Sequence, residues 1–216
     1  MVEKSFKNKT KLRKQILQAN KDNDFMCKVQ DSNILISVPH AVSQIRLGKY
    51  KVAEIGTLAF GHILAEELNA NLIVKTQNNN DDANFDESCA YRDKINQLIS
   101  AVGTKYILDI HGMKKSRDFD VNLGINLGNN IKTDVELYDK LVKELEKEGF
   151  KVGIDDPFKA SKRTIAGCFA EKYNVWAVQV EINCGITNES KNNEKANKLL
   201  DCLVRVFKSI NNKVGQ

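Results

Sequence analysis

This 216-residue chain has only three histidines and two prolines, and no Cys-x-x-Cys pair. The five cysteines (Cys27, Cys89, Cys168, Cys184 and Cys202) are odd in number and wrongly spaced for a zinc knuckle. That excludes a disulfide scaffold and fits reduced thiols in a cytoplasm. Cys184, just past a candidate strand, reads as a small buried hydrophobe and not as a nucleophile. Pro39 and Pro157 are the only prolines, and no Gly/Ser-rich linker or internal repeat marks a domain boundary. The expectation is one domain over 1–216, with a basic arm or helix over 1–30 and a core over 31–212, long enough to bury a sizeable interior. The longest apolar runs are far too short for a bilayer span, so no membrane partner is expected. No apolar segment follows the basic N-terminus as a secretory signal requires.

What is present is ordinary in bulk, with 42% hydrophobic and 28% charged residues and a net charge of +5. Much of the excess lies in Lys4, Lys7, Lys9, Lys11, Arg13, Lys14 and Lys21. That stretch carries no series of aromatics to stack on bases, so it reads as a solvated face and not as a nucleic-acid site. Strand patterns occur at 34–38, 72–76, 106–110, 121–127, 151–154 and 176–182. Helical patterns occur at about 53–68, 91–102, 134–148, 165–173 and 193–210, with Ser190 or Asn192 as a cap for the last. This alternation implies an α/β fold, a three-layer sandwich with helices on both faces of a central sheet. The long polar stretch 77–86 is either disordered or a binding loop, and its leading directly into Tyr91-Arg92-Asp93 favours the binding loop.

Two of the three histidines stand at the ends of apolar runs. His40 closes Ile34-Leu35-Ile36-Ser37-Val38-Pro39, and His111 closes Tyr106-Ile107-Leu108-Asp109-Ile110. Open α/β sheets place their chemistry at strand ends. Glu54 follows at the start of a helical pattern, and two imidazoles with one carboxylate make a three-ligand zinc site. Asp109 lies two residues from His111, on the same side of the strand, where it can orient a ligating imidazole. His62 lies about 80° round the helix from Glu54 and reads as a helix-face histidine. Glu181, in the apolar strand ending Gln179-Val180-Glu181-Ile182-Asn183, is costly to bury unless used, and suits a general base. Arg92 offers a bidentate fork for a substrate carboxylate.

These residues fall in blocks that resemble the N-formylglutamate amidohydrolase-like family. The blocks are Ser37-Val38-Pro39-His40, Asp82–Asp86 with Tyr91-Arg92-Asp93, Leu108–Gly112, Asp120–Gly124, Asp156-Pro157-Phe158 with Thr164, and Gln179–Asn183. The resemblance implies a phosphorylase/hydrolase-like fold with a mixed sheet, and one Zn2+ held by His40, His111 and a carboxylate. Glu54 stands where the family more often shows aspartate. It further implies Glu181 and Arg92 as catalytic residues, with Asn84, Arg92, Arg163 and Thr164 meeting a small acidic or acylated amino acid. The implied activity is amide hydrolysis by metal-activated water. The loop Phe158–Arg163 departs from the family's glycine-rich turn, so formylglutamate specificity does not carry over. A metallo-carboxypeptidase or peptidoglycan-fragment peptidase using the same site, and a non-catalytic binding module with a degenerate site, are the rival expectations.

Overall fold

The computed structural model describes residues 6–189 and 192–211. Lys4 of the basic stretch, Ser190 as a helix cap and residue 212 at the expected end of the core lie outside the described residues. The chain forms α1 (Lys9–Ala19), β1 (Phe25–Lys28), β2 (Ile34–Val38), β3 (Gln44–Arg46), β4 (Lys49–Lys51), α2 (Ile55–Leu68), β5 (Asn71–Lys75) and α3 (Ala90–Val102). It continues through β6 (Tyr106–Met113), β7 (Val121–Gly124), α4 (Val135–Lys147), β8 (Val152–Ile154), α5 (Ile165–Tyr173), β9 (Trp176–Asn183), α6 (Cys184–Asn188) and α7 (Asn193–Asn211).

The sheet runs β1-β5-β2-β6-β9-β7-β8. Its centre, β5-β2-β6-β9, is parallel, while β1 and β7 join antiparallel and make the sheet mixed. Parallel strands covered on both faces need apolar residues on both, and every residue of β2, β5 and β9 is buried. Ile36, Val38, Leu108, Ile110, Val178 and Val180 pack with Leu58 and Leu64 of α2, Leu141 of α4 and Leu203 of α7. The alternate set, Leu35, Ile73, Ile107 and Ala177, packs with Tyr91 and Ile95 of α3 and Ile165 and Phe169 of α5. The result is a three-layer α/β sandwich.

The structure adds elements that the hydrophobic pattern does not carry. β1 caps one sheet edge, and β3 pairs with β4 as a separate hairpin. That hairpin turns at Leu47 and Gly48, both with positive φ (50° and 72°). β7 ends at Gly124 and not near Leu127, because Asn126 and Leu127 adopt positive φ of 52° and 55°. The Asp155 carboxylate holds this turn by accepting the N–H groups of Ile125, Asn126 and Leu127 at 2.7, 3.0 and 2.6 Å. Part of the basic N-terminal stretch is α1, which packs on α2. Ile16 is buried there, and Arg13 donates to the Ala41 carbonyl at 3.0 Å. Among the described residues, no helix is long and apolar enough to cross a membrane.

Candidate metal centre

Strand register builds the site. Ser37 pairs with Asp109, Asp109 with Gln179, and His111 with Glu181. All share the parity of Leu35, Ile107 and Ala177, so they project toward the α3/α5 side of the sheet. That face is apolar near the start of the strands and turns polar toward their C-terminal ends.

Three side chains converge there. The Nδ1 atoms of His40 and His111 are 3.1 Å apart. Glu54 brings one carboxylate oxygen to 2.9 Å from His40 Nδ1 and the other to 3.4 Å from His111 Nδ1. Glu54 stands at the N-terminal boundary of α2, and its backbone N–H donates to the His40 carbonyl at 2.9 Å. Gly112 N–H donates to its Oε2 at 2.8 Å. A Cβ on residue 112 would lie 3.2 Å from the Glu54 Cβ, so the glycine permits this approach.

The far ring nitrogens are also committed. His40 Nε2 lies 2.9 Å from Asp82 Oδ1, and His111 Nε2 lies 3.1 Å from Asp109 Oδ2. Both carboxylates are fully buried. Asp109 also accepts from Ser37 Oγ at 2.8 Å, and Asp82 from Arg46 Nε at 2.7 Å. Carboxylates in these positions hold the imidazole protons on Nε2 and turn both Nδ1 lone pairs inward. Two lone pairs 3.1 Å apart, facing a carboxylate, repel one another unless a proton or a metal ion lies among them. Two imidazole nitrogens and a carboxylate gathered this closely are a donor set suited to a divalent metal ion such as zinc.

Electrostatics point the same way. Burial works against protonated imidazoles, yet Glu54 and Asp82 hold His40 above its ordinary value. Asp109 and Glu54 likewise outweigh burial and hold His111 well above its own. Burial opposes ionisation of Glu54 too, but the two histidines pull it down to about 2. The cluster thus stabilises positive charge at its centre. A metal ion would supply that charge in place of the protons.

The group opens into a cavity of about 880 Å3. Glu181 lines it, 5% exposed, accepting from Gln179 Nε2 at 2.9 Å. Burial, reinforced by Glu54 and Asp109 against the pull of the histidines, pushes the Glu181 carboxyl up to about 7. Asn84, Arg163 and Thr164 also line the cavity. Asn84 Oδ1 accepts from Ile165 N–H at 2.7 Å, and Thr164 caps α5 by accepting from Gly167 N–H at 3.2 Å.

Arg92 differs from expectation. It is 4% exposed and is not among the lining residues. Its Nε donates to the Ala83 carbonyl at 2.8 Å and a terminal nitrogen to the Arg163 carbonyl at 2.6 Å. The fork expected to meet a substrate carboxylate is spent on two backbone carbonyls behind the wall. Asp82, Arg46 and Gln179, which sequence reasoning left without a role, surround the cluster.

Residues 90–186 match the family model described as N-formylglutamate amidohydrolase. The chain resembles the N-formylglutamate amidohydrolases. The match includes Asp109, His111, Arg163, Thr164 and Glu181, while His40, Glu54 and Asn84 precede it and are joined to it by the fold. The solved N-formylglutamate amidohydrolase from Ralstonia eutropha superposes with a TM-score of 0.57 at 14% identity, covering 88% of this chain and 98% of that one. A gene product of Agrobacterium tumefaciens gives 0.65 at 14% identity, over 92% and 99%. A metallo-carboxypeptidase from Pseudomonas aeruginosa gives 0.51 at 16% identity, over 86% of this chain and 60% of that one. No curated protein matches the chain by sequence. The chain is thus similar to that hydrolase family over residues 90–186, and its His-Glu-His group could hold a metal ion.

Proposed function

We propose that the chain is a zinc-dependent amidohydrolase that cleaves the amide bond of a small acylated amino acid. The observation that carries this reading is the convergence of His40 Nδ1, His111 Nδ1 and the Glu54 carboxylate within 4.8 Å of one another, in the cavity that Glu181 lines. His40, Glu54 and His111 would hold the ion, which when bound supplies a Lewis acid and makes water a nucleophile at neutral pH. Asp82 and Asp109 keep the imidazole protons on the outer nitrogens. Glu181 takes a proton from the attacking water and returns it to the leaving amine. Burial raises the Glu181 carboxyl above its ordinary value and a bound cation would lower it again, opposing pulls that suit a group which both takes and returns a proton. Asn84 presents its amide from the cavity wall to the substrate, whereas the Thr164 hydroxyl donates to the Ser161 carbonyl and shapes the wall as the cap of α5.

The test is a panel of N-formyl and N-acetyl amino acids against zinc-loaded protein. Release of free amino acid is expected, abolished by a chelator and restored by added zinc. No release from any member by the zinc-loaded protein contradicts the reading. A second reading, a peptidase using the same residues, is favoured by the cavity volume of about 880 Å3, which exceeds what one acylated amino acid fills. Short peptides in the same panel separate the two.

A further inference from the structure

Asp82 and Asp109 face the outer nitrogens of the two histidines, yet the two carboxylates are held in different ways. Asp82 meets a cation, the Arg46 guanidinium, at 2.7 Å. Asp109 is fully buried, and among the described residues no lysine or arginine pairs with it. Its Oδ2 faces His111, and its Oδ1 accepts from Ser37 Oγ at 2.8 Å. Ser37 is itself fully buried, and its Oγ lies 3.1 Å from the hydroxyl of Tyr91, a fully buried side chain of α3. We infer that Tyr91 and Ser37 form a hydrogen-bond relay that fixes Asp109 as the acceptor for His111, which makes both of them positioning residues of the metal centre. The inference rests on the metal-binding part of the proposed function and not on the identity of the substrate.

The donors set the direction of the protons. Val38 N–H donates to the Tyr91 hydroxyl oxygen at 2.9 Å, so the phenolic proton is the one that Tyr91 gives away. Burial holds that hydroxyl well above its ordinary value, and the proton stays on it. It is shared between the Ile73 carbonyl at 3.0 Å and Ser37 Oγ at 3.1 Å. A carboxylate has no proton to give, so the contact between Ser37 and Asp109 carries the serine proton. Ser37 then has only lone pairs left for Tyr91. The donors from Val38 onward all point toward Asp109 Oδ1. Hydrogen bonds aligned in this way reinforce one another in a buried setting. Rotation of the carboxylate would break the bond to Oδ1, so Oδ2 stays 3.1 Å from His111 Nε2.

The relay's place in the fold suits this task. Ile73 belongs to β5, Ser37 and Val38 to β2, and Asp109 to β6. One phenol and one serine thus tie three neighbouring central strands together beside the metal centre. The face around them is apolar, with Leu35, Ile73, Ile107 and Ala177 in the same cluster as Tyr91. A hydroxyl in such a cluster is costly unless its bonds are made. Apolar residues at 37 and 91 would avoid that cost, and would leave Asp109 Oδ1 without the Ser37 donor.

The test is zinc affinity, measured on the purified full chain by competition with a chromophoric chelator. Ser37→Ala should weaken zinc binding about fivefold and Tyr91→Phe about threefold, the size of one lost hydrogen bond. Both variants lose stability whether or not the relay acts on the metal centre, so the combined variants decide. Beside Asp109→Asn, Ser37→Ala should add less than about a twofold loss, because the carboxylate it orients is gone. Beside Asp82→Asn, its loss of about fivefold should remain, because that carboxylate serves His40. Tyr91→Phe carries the same comparison if Ser37→Ala does not fold. Unchanged affinity in both single variants, or a Ser37→Ala loss undiminished beside Asp109→Asn, overturns the relay and leaves the metal site standing. A wild type that takes up no zinc overturns the metal reading and the relay with it. A protein that binds zinc with the expected coupling but hydrolyses no amide keeps the relay and loses the amidohydrolase reading.

Discussion

Glu181→Gln lowers kcat/KM for amide hydrolysis by about 10²–10⁴, the range expected when a positioned general base is removed. Glutamine keeps the shape of the side chain, and its carbonyl oxygen can still accept from Gln179 Nε2, so the loss belongs to proton transfer and not to the fold. In wild type the acidic limb of the pH profile follows Glu181, because only the ionised form accepts a proton. Burial pushes that carboxyl up to about 7 in the metal-free protein, and a bound cation lowers it. Stability moves in the opposite sense. The folded-state value lies above the ordinary 4.5, so the protonated side chain contributes stability in full below about 4.5. That contribution is lost as pH rises through about 7. Metal-free wild type therefore loses stability between pH 5 and 8 relative to Glu181→Gln. Urea denaturation of both proteins across that range reads the difference. Undiminished hydrolysis by the variant, or parallel stability curves, contradicts the assigned role.

Asp109→Asn weakens metal binding by about 10–100-fold, the usual loss when a partner of a ligating histidine is changed. Asp109 accepts from Ser37 Oγ and stands 3.1 Å from His111 Nε2. As a carboxylate it can only accept, so it holds the ring proton on Nε2 and leaves Nδ1 bare toward Glu54. An asparagine amide can donate to Nε2 and drive the proton to Nδ1, into the centre of the cluster. Competition with a chromophoric chelator measures the affinity. An unchanged affinity means that Asp109 does not set the tautomer.

Much of this arrangement is legible in the amino-acid order, for specific reasons. Apolar runs ending in His40 and His111 mark parallel strands whose C-terminal ends lie together, and Glu54 follows at a helix start facing the same edge. The hairpin bearing Arg46 is not legible. Its strands are three residues each, and its turn places Leu47 at positive φ, where a leucine gives no turn signal. Asp82 looks like Asp81 and Asp86 in a polar stretch, and only the fold shows that it alone is fully buried against His40. Arg92 follows a polar loop, which suggests an outward side chain. On α3, however, it stands between buried Tyr91 and buried Ile95, and the helix turns it toward two carbonyls. Local polarity in the sequence does not report which way a helix face is turned.

The measurement that bears most directly on the central claim is the metal content of the protein purified without added metal. It is read by mass spectrometry beside His111→Ala and Glu54→Ala variants prepared in the same way. One zinc per chain in wild type and a substoichiometric amount in both variants is the predicted result. Wild type without bound metal, unable to take up zinc at micromolar concentration, contradicts it.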